Sequence, residues 1–367
     1  MKQPIIIVKF IGSEILSEKG RILFSLLNTF SQADYPIQFV CNPEHKSLGL
    51  HGDRIFEFDN LSVIDDIPGN TTDAIFLYDH ADKQTLKQPW LKTIRVRFDI
   101  FSSFRFNRPI LFPYPVHPIH TSPDKQLKLD ALRESPKKIR LFFSGDMKGY
   151  NKSHVNYPEP KLPRLEVINT ILESLPNNLL HLKDSQSAET LFSGPYSQNC
   201  VIIDTSMTWI DDRYWLDYLA KSDFFLAPPG IIMPMCHNII EAMSVGAIPV
   251  TNYPEWFHPK LEHFKNCIAF SDKADLVEKV KLVLDMDREQ IRSLRQNVIR
   301  YYQEFLKPAR FIETVEKNKD RHIDVLMITE RYVAKNSQRL NRNSFIIKGA
   351  SGESESFWRK FIHVFQS

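Results

Sequence analysis

Residues 224–251 place the strongest constraint on what this 367-residue chain can fold into. The apolar run 224–227 is typical of a buried parallel strand, and two prolines and Gly230 interrupt it directly afterwards. An apolar face over residues 239–243 then predicts a helix, with Gly246 as its stop signal. A second apolar run follows. The segment therefore predicts a strand–loop–helix–strand unit of an α/β fold.

The predicted loop and helix have a chemistry that suits a nucleoside diphosphate. The loop and the amino terminus of the helix present unpaired backbone N–H groups and a partial positive charge, which favour a diphosphate. His237 and Glu241 are four residues apart and share one helix face. A carboxylate at position 241 can accept two hydrogen bonds from a ribose diol, each contributing about 1.5–3 kcal/mol.

The segment resembles the donor-binding segment of two-domain GT-B glycosyltransferases, and is most similar to exostosin-like and related polysaccharide-building transferases. The shared pattern is a Pro/Gly loop followed by Glu-Ala-x3-Gly-x-Ile-Pro-Val, which begins here at Glu241. The resemblance extends over about residues 138–310. It implies an α/β GT-B fold of two Rossmann-like domains whose parallel sheets face a central cleft. It also implies that Glu241 binds the nucleotide ribose and that His237 binds phosphate.

Further nucleotide-binding residues are expected where the first strand of the second domain ends. Gly145 and Lys148 lie in the loop after an apolar run, and Arg164 lies near the start of the next predicted helix. Because strand carboxyl ends face the ligand crevice of open α/β sheets, Lys148 and Arg164 could neutralise a leaving diphosphate. A solvated loop lysine and a surface arginine are the alternatives. The Pro/Gly loop and its helix complete the predicted set with Gly230, His237, Asn238 and Glu241.

The reaction type is inferred from one missing acid. Retaining members of the Glu-x7-Glu type have a second acid eight residues before the ribose-binding glutamate, and Met233 occupies that position here. An inverting reaction is therefore favoured, and it requires a general base on the acceptor side. Asp79 is the first candidate, with Glu14 and His80 as the others, because all three follow predicted strands of the N-terminal domain. The alternatives are a cap or a turn for Asp79, a helix-entry acid for Glu14 and a loop histidine with satisfied hydrogen bonds for His80.

No metal or resident cofactor is expected. The helix dipole and basic side chains can stabilise the leaving group, and the expected donor is a nucleotide sugar, specifically a UDP-sugar. One Asp-x-Asp match, Asp285-Met286-Asp287, lies between two helical patterns, and Asp287 suits the cap of the second.

Composition limits the partners and the compartment. A net charge of +3 gives no electrostatic reason to bind nucleic acid. No run of 18 apolar residues predicts a membrane-spanning helix. The amino-terminal residues predict a first strand rather than a signal peptide, and the four cysteines have no metal-binding spacing. A cytoplasmic protein is expected, with peripheral contact at the inner membrane face as an additional possibility.

Three regions are predicted. Residues 1–125 form an N-terminal, acceptor-binding Rossmann-like domain, and a proline-rich stretch over residues 108–136 marks the interdomain region. Residues 126–345 form the nucleotide-sugar-binding domain. Residues 346–367 form an amphipathic helix that packs back on the N-terminal domain or docks on a membrane surface. Strands are predicted at residues 5–10, 37–41, 54–58, 74–78, 94–98, 139–144, 179–182, 201–203, 224–227, 323–328 and 345–348.

The sequence thus predicts a glycosyltransferase that moves a sugar from a nucleotide sugar to a glycan or glycolipid acceptor. The resemblance implies a role in bacterial surface-polysaccharide or lipopolysaccharide assembly. A retaining transferase or a nucleotide-sugar epimerase of the same fold, or a non-catalytic carbohydrate-binding protein, are the alternatives.

Overall fold

Two parallel β-sheets form the frame of the protein in a computed structural model. The structure describes residues 3–41, 47–104, 108–147, 161–182, 184–208 and 210–348. Helices connect the strands and cover the sheets. The predicted fold class is confirmed: two Rossmann-like units, with their parallel sheets on either side of a cavity, make up the GT-B architecture.

Seven strands form the first sheet: β1 (Ile5–Lys9), β2 (Ile37–Val40), β3 (Leu61–Ile64), β4 (Ala74–Tyr78), β5 (Lys92–Arg97), β6 (Ile110–Leu111) and β13 (His322–Leu326). Their order across the sheet is β3-β2-β1-β4-β5-β13-β6. Every residue of β4 is buried, as expected of a central strand covered on both faces. The order of connection reverses between β1 and β4, which leaves a crevice at the carboxyl ends of these two strands.

Six strands form the second sheet: β7 (Ile139–Gly145), β8 (Leu179–Leu182), β9 (Ser197–Asp204), β10 (Ser222–Ala227), β11 (Ile248–Thr251) and β12 (Ile268–Ala269). Their order is β12-β11-β10-β7-β9-β8. The central strands β7 and β10 are buried throughout and pair in parallel, with Phe224 opposite Leu141. The connections again diverge between these two strands, so the loops that follow β7 and β10 flank a second crevice.

Twelve α-helices are described: α1 (Arg21–Ser31), α2 (Lys83–Leu86), α3 (Pro123–Arg133), α4 (Arg164–Ser174), α5 (Ser185–Ser193), α6 (Trp215–Ala220), α7 (His237–Ser244), α8 (Lys273–Asp285), α9 (Arg288–Tyr301), α10 (Pro308–Lys317), α11 (Glu330–Asn336) and α12 (Phe345–Lys348). The unit predicted from residues 224–251 is present as β10, α7 and β11. Within the part of the chain that the structure describes, no helix has the length and apolarity needed to cross a membrane.

Two predicted strands are wrong. Residues 54–58 lie mostly in a 3-10 helix (Gly52–Glu57), and β3 (Leu61–Ile64) supplies the edge strand of the first sheet instead. Phe345–Lys348 is the short helix α12. Both misassigned segments have only four or five residues, and periodicity does not separate a helix from a strand in so short a segment.

The chain returns to the first sheet earlier than the sequence analysis predicted. β13 lies between β5 and β6, with His322 opposite Thr93, and α10 packs on α1 through Phe311 and Phe30. The predicted range 126–345 is therefore too long for the second domain. The sequence did not indicate this, because parallel pairing with a distant strand leaves no local signal. Of the predicted helix over 346–367, all but three residues lie outside the described residues.

The loop between β1 and α1 depends on a glycine. Glu18, Lys19 and Gly20 all have positive φ, with Gly20 at 82°. A Cβ atom on Gly20 would lie 2.5 Å from the backbone nitrogen of Gly52 and from the carbonyl oxygen of Leu48. Only glycine permits both this φ and this approach of the two backbones.

Replacing Gly20 by alanine should lower the free energy of unfolding by about 2–4 kcal/mol, because left-handed strain adds to a backbone clash. Urea denaturation measures this change. Gly69→Ala is the matched control, since a Cβ atom there meets nothing within 4 Å, and its effect should stay within about 0.5 kcal/mol. Equal stabilities of the two variants would contradict the described packing of this loop.

Candidate functional site

A cavity of about 690 Å³ lies at the carboxyl ends of the two sheets. The first sheet contributes the loop before α1 and the start of α11, and the second contributes the segments after β7 and β10. A volume of this size suits a small-molecule ligand. Of the predicted nucleotide-binding residues, six line the cavity: Gly145, Arg164, Gly230, His237, Asn238 and Glu241. Lys148 lies outside the described residues.

The loop after β10 forms one wall of the cavity. The backbone N–H of Gly230 donates to the carbonyl of Pro234 at 3.1 Å. A Cβ atom on Gly230 would lie 2.5 Å from the carbonyl oxygen of Met233, so this tight turn requires glycine. The turn leads to α7, whose N-cap residue Cys236 makes no side-chain capping bond, and its first turn contains no acid. The amino terminus of α7 thus keeps backbone donors and a positive dipole end for an anion.

His237 and Glu241 form a hydrogen-bonded pair on α7. Nδ1 of His237 lies 3.0 Å from Oε1 of Glu241, so the two share one helix face as predicted. The Glu241 side chain is 1% exposed, whereas that of His237 is 33% exposed. Because an ionised carboxylate accepts this bond, Nδ1 carries the hydrogen and Nε2 is the nitrogen left for a ligand. A protonated His237 would donate from Nε2 to an anion.

The Glu241 carboxylate also joins separate segments of the chain. Its Oε1 accepts the backbone N–H of His117 at 2.7 Å, and its Oε2 accepts the indole N–H of Trp215 at 2.7 Å. Burial alone would raise the pKa of Glu241, but His237, His120 and the His117 N–H together hold this pKa far below its ordinary value. With both oxygens already bonded, a ribose diol would have to share Oε2 with Trp215. The ribose contact stays a prediction.

Arg164 is not a surface residue, because its side chain is buried at the start of α4. Its Nη1 donates to the carbonyl of Asp146 at 2.9 Å, and the same atom would lie 3.5 Å from a Cβ on Gly145. The neighbouring hydroxyl of Ser144 is buried and has no hydrogen-bond partner among the described residues. A buried guanidinium and a buried hydroxyl therefore line the cavity at the end of β7.

The three predicted base candidates lie together around Gly12, but none of them lines the cavity. Asp79 accepts hydrogen bonds from the backbone N–H groups of Ile11, Gly12 and His80, at 2.6–2.9 Å. Glu14 accepts a hydrogen bond from Lys335 at 2.9 Å. In this arrangement Asp79 fixes the loop after β1. The assignment of a base to Asp79, Glu14 or His80 stays a prediction, without a contact to the cavity.

Four histidines line the cavity, and three of their rings lie around the ring of His117. The His117 ring lies 5.0 Å from that of His51, 5.7 Å from that of His237 and 6.2 Å from that of His120. Burial and then the neighbouring His237 lower the pKa of His117 to about 4, and burial also lowers the pKa values of His51 and His120. The His117 imidazole is therefore neutral at pH 7. In the described parts of the chain, no group of three or more His, Cys, Asp or Glu is placed to hold a metal ion.

Sequence reasoning missed two acids that line the cavity, Glu18 and Glu330. Glu18 accepts two hydrogen bonds from Arg21, at 3.1 and 2.6 Å, and Arg21 also donates to the hydroxyl of Tyr114. The backbone N–H of Glu330 donates to the other Glu18 oxygen at 3.2 Å. Burial and then the charge of Glu18 raise the pKa of Glu330 above its ordinary 4.5. Glu330 directly follows the N-cap residue Thr329, so in sequence it resembles any acid in the first turn of a helix.

No protein-family model and no curated protein matches the chain. Solved structures of similar architecture include HepE of Anabaena in complex with UDP and glucose, at 10% identity and a TM-score of 0.44, covering 85% of this chain and 98% of that one. A glycosyltransferase of Rickettsia africae has 10% identity and a TM-score of 0.47, with coverages of 86% and 97%. The N-terminal domain of a Candida albicans trehalose-6-phosphate phosphatase has 9% identity and a TM-score of 0.41, with coverages of 86% and 96%. At such values these similarities assign neither a family nor a substrate.

Replacing Glu241 by glutamine should lower the free energy of unfolding at pH 7 by about 2–4 kcal/mol, since buried donors lose an ionised acceptor. Because the folded-state pKa of Glu241 is lowered, its contribution is present above the unfolded value of 4.5 and is lost as the pH falls further. The difference in the free energy of unfolding between wild type and variant should therefore become smaller below pH 4.5. Glu262→Gln, on an exposed carboxylate, is the control. A gap that does not change with pH would contradict the account.

Proposed function

We propose that this protein is a glycosyltransferase that moves a sugar from a nucleotide sugar to a hydroxyl of a glycan or glycolipid acceptor. One observation carries the proposal. At the ends of β7 and β10, a helix amino terminus without a side-chain cap, a tight glycine turn and a buried arginine line the same cavity. Together they supply the directed N–H donors and positive charge that a diphosphate requires.

The proposed donor site follows from these positions. The diphosphate lies against Gly230 and the first turn of α7, where the backbone N–H groups of His237 and Asn238 can donate. Arg164 binds its oxygens from the side, together with His237 when its imidazole also carries a hydrogen on Nε2, and Gly145 lies beside Arg164. We propose a UDP-sugar as the donor.

The leaving group needs stabilisation as the bond between the anomeric carbon and the diphosphate oxygen breaks. A buried arginine, a histidine and a helix amino terminus can provide it by themselves, so we propose transfer that requires no metal. At the position of the second acid in retaining transferases, Met233 is fully buried. This apolar position favours a single displacement, in which the acceptor hydroxyl attacks directly and the anomeric configuration inverts. The acceptor would enter along the wall formed by Glu18, Tyr114 and Glu330.

The biological setting is part of the same proposal. Surface-polysaccharide assembly fits a transferase of this type, and a glycolipid acceptor would bring the protein to a membrane surface. Peripheral contact through the predicted helix over residues 346–367 stays a prediction, since the structure describes only its first three residues.

Replacing Arg164 or His237 should weaken UDP binding about 10- to 100-fold, because each change removes a charge-assisted hydrogen bond. Isothermal titration calorimetry on Arg164→Ala and His237→Gln measures the affinities, and thermal melts check that both variants fold. Arg310→Ala is the control, because Arg310 is an exposed arginine that pairs with Glu313 on α10 and does not line the cavity. Equal affinity in all three variants would place the nucleotide elsewhere.

A further inference from the structure

We propose that Glu330 is the general base that removes the proton from the acceptor hydroxyl. This inference rests on the proposed function and names the residue that completes it. Glu330 is the first residue of α11, directly after β13, so it belongs to the wall that the first sheet supplies. The nucleotide-binding residues of the second sheet form the opposite wall. An acceptor bound between the walls would place its hydroxyl beside Glu330.

The Glu330 side chain is free to accept a proton. It is half-buried and lines the cavity, and its carboxylate has no hydrogen-bond or ion-pair partner within the described ranges. The backbone around it is held firmly. Its N–H donates to Glu18, the N–H of Arg331 donates to the Ser17 hydroxyl at 3.2 Å, and the Thr329 hydroxyl caps α11. A fixed backbone with an uncommitted carboxylate is the arrangement that proton transfer needs.

The other acids that line the cavity are less suited to this role. Glu18 is 6% exposed, and hydrogen bonds occupy both of its oxygens. Glu241 is buried and bonded at both oxygens. Asp146 and Asp212 belong to the wall that would bind the nucleotide, on the side of the leaving group. Direct displacement requires the base on the side opposite the leaving group.

Glu18, Arg21 and His237 act on the charge of Glu330, and the titratable Tyr114 hydroxyl also interacts with it. Glu18 repels its charge, whereas Arg21 and His237 attract it. Burial and the repulsion by Glu18 outweigh the two attractions, so the pKa of Glu330 rises above 4.5. A carboxylate with a raised pKa is a stronger base near neutral pH than an ordinary surface glutamate.

The step balances in atoms and electrons. The proton of the acceptor hydroxyl passes to a carboxylate oxygen of Glu330 while the hydroxyl oxygen forms a bond to the anomeric carbon. The bond from that carbon to the diphosphate oxygen breaks, and its electron pair leaves with the nucleoside diphosphate. The products are an inverted glycoside, the nucleoside diphosphate and protonated Glu330, which returns its proton to solvent.

Glu330→Gln tests the assignment with UDP-glucose and related UDP-sugars as donors and water as the acceptor. We expect the turnover rate for UDP release to fall about 10²- to 10⁴-fold, with the Kd for UDP unchanged. Glu330→Asp should recover part of the rate, and the acidic limb of the kcat–pH profile should disappear in Glu330→Gln. Glu262→Gln, on an exposed glutamate that does not line the cavity, is the control and should keep its turnover.

A failure of the proposed function and a failure of the base assignment would give different results. If wild type neither binds UDP nor releases it from any donor, the proposed function falls and the base falls with it. If wild type turns over and Glu330→Gln keeps its rate, only the base assignment is overturned. NMR of the first sugar released from an α-linked donor gives a second check. A β anomer supports direct displacement, and an α anomer overturns the role of Glu330 as its base.

A stability measurement separates catalysis from a structural role. Because the folded-state pKa of Glu330 is raised, its contribution is favourable below pH 4.5 and is lost as the pH rises through the folded-state pKa. Glu330→Gln should therefore match wild type in Tm near pH 4 and equal or exceed it at pH 7.5. A variant that melts several degrees lower at pH 7.5 would show a structural role and overturn the assignment.

Discussion

The buried carboxylate of Glu241 is the interaction on which the candidate site depends. It joins α7 to the segment at His117 and to Trp215 on α6, and it sets the tautomer of His237. A buried charge is tolerated only when its hydrogen-bonding capacity is filled, and here three donors fill it. His237 is the only side chain of α7 that could carry a positive charge into the cavity. Its position is thus coupled to that of the segment around His117, which links the two sheets.

The two cavity walls carry different functional groups for a reason that follows from the fold. Loops after β7 and β10 bring the amino terminus of α7 and Arg164 to one wall, while β13 carries α11 and Glu330 to the other. The helix amino terminus and Arg164 suit a leaving diphosphate, and the Glu330 carboxylate suits a proton acceptor. Arg21 holds Glu18, the other acid of that wall, in an ion pair, so among the described residues of the wall Glu330 alone retains an uncommitted carboxylate.

Much of the second sheet could be predicted from the sequence. The run from β10 through α7 to β11 combines strong local signals, namely a buried apolar run, a glycine turn and a helix stop. Its residues Gly230, His237 and Glu241 accordingly line the cavity where they were expected. The contacts of Glu241 could not be predicted, because His117 lies 124 residues away along the chain.

The acceptor side was harder to predict for the same physical reason. Asp79 does follow a central strand, but its carboxylate accepts hydrogen bonds from three backbone N–H groups, those of Ile11, Gly12 and His80. Glu330 reaches the cavity only because β13 joins the first sheet, a pairing that joins residues more than 200 positions apart. The sequence has no local pattern that shows which loop will donate hydrogen bonds to a carboxylate. It also has no local pattern that shows which sheet a strand near the end of the chain will join.

The central claim is that the cavity binds a nucleoside diphosphate chiefly through its phosphates. Calorimetric titration of the wild-type protein with UDP, UMP and uridine tests it most directly. The account predicts that UDP binds at least about ten times more tightly than UMP, and uridine most weakly, because each phosphate lost removes charge-assisted hydrogen bonds. Equal affinities for the three compounds, or no binding of UDP, would contradict it.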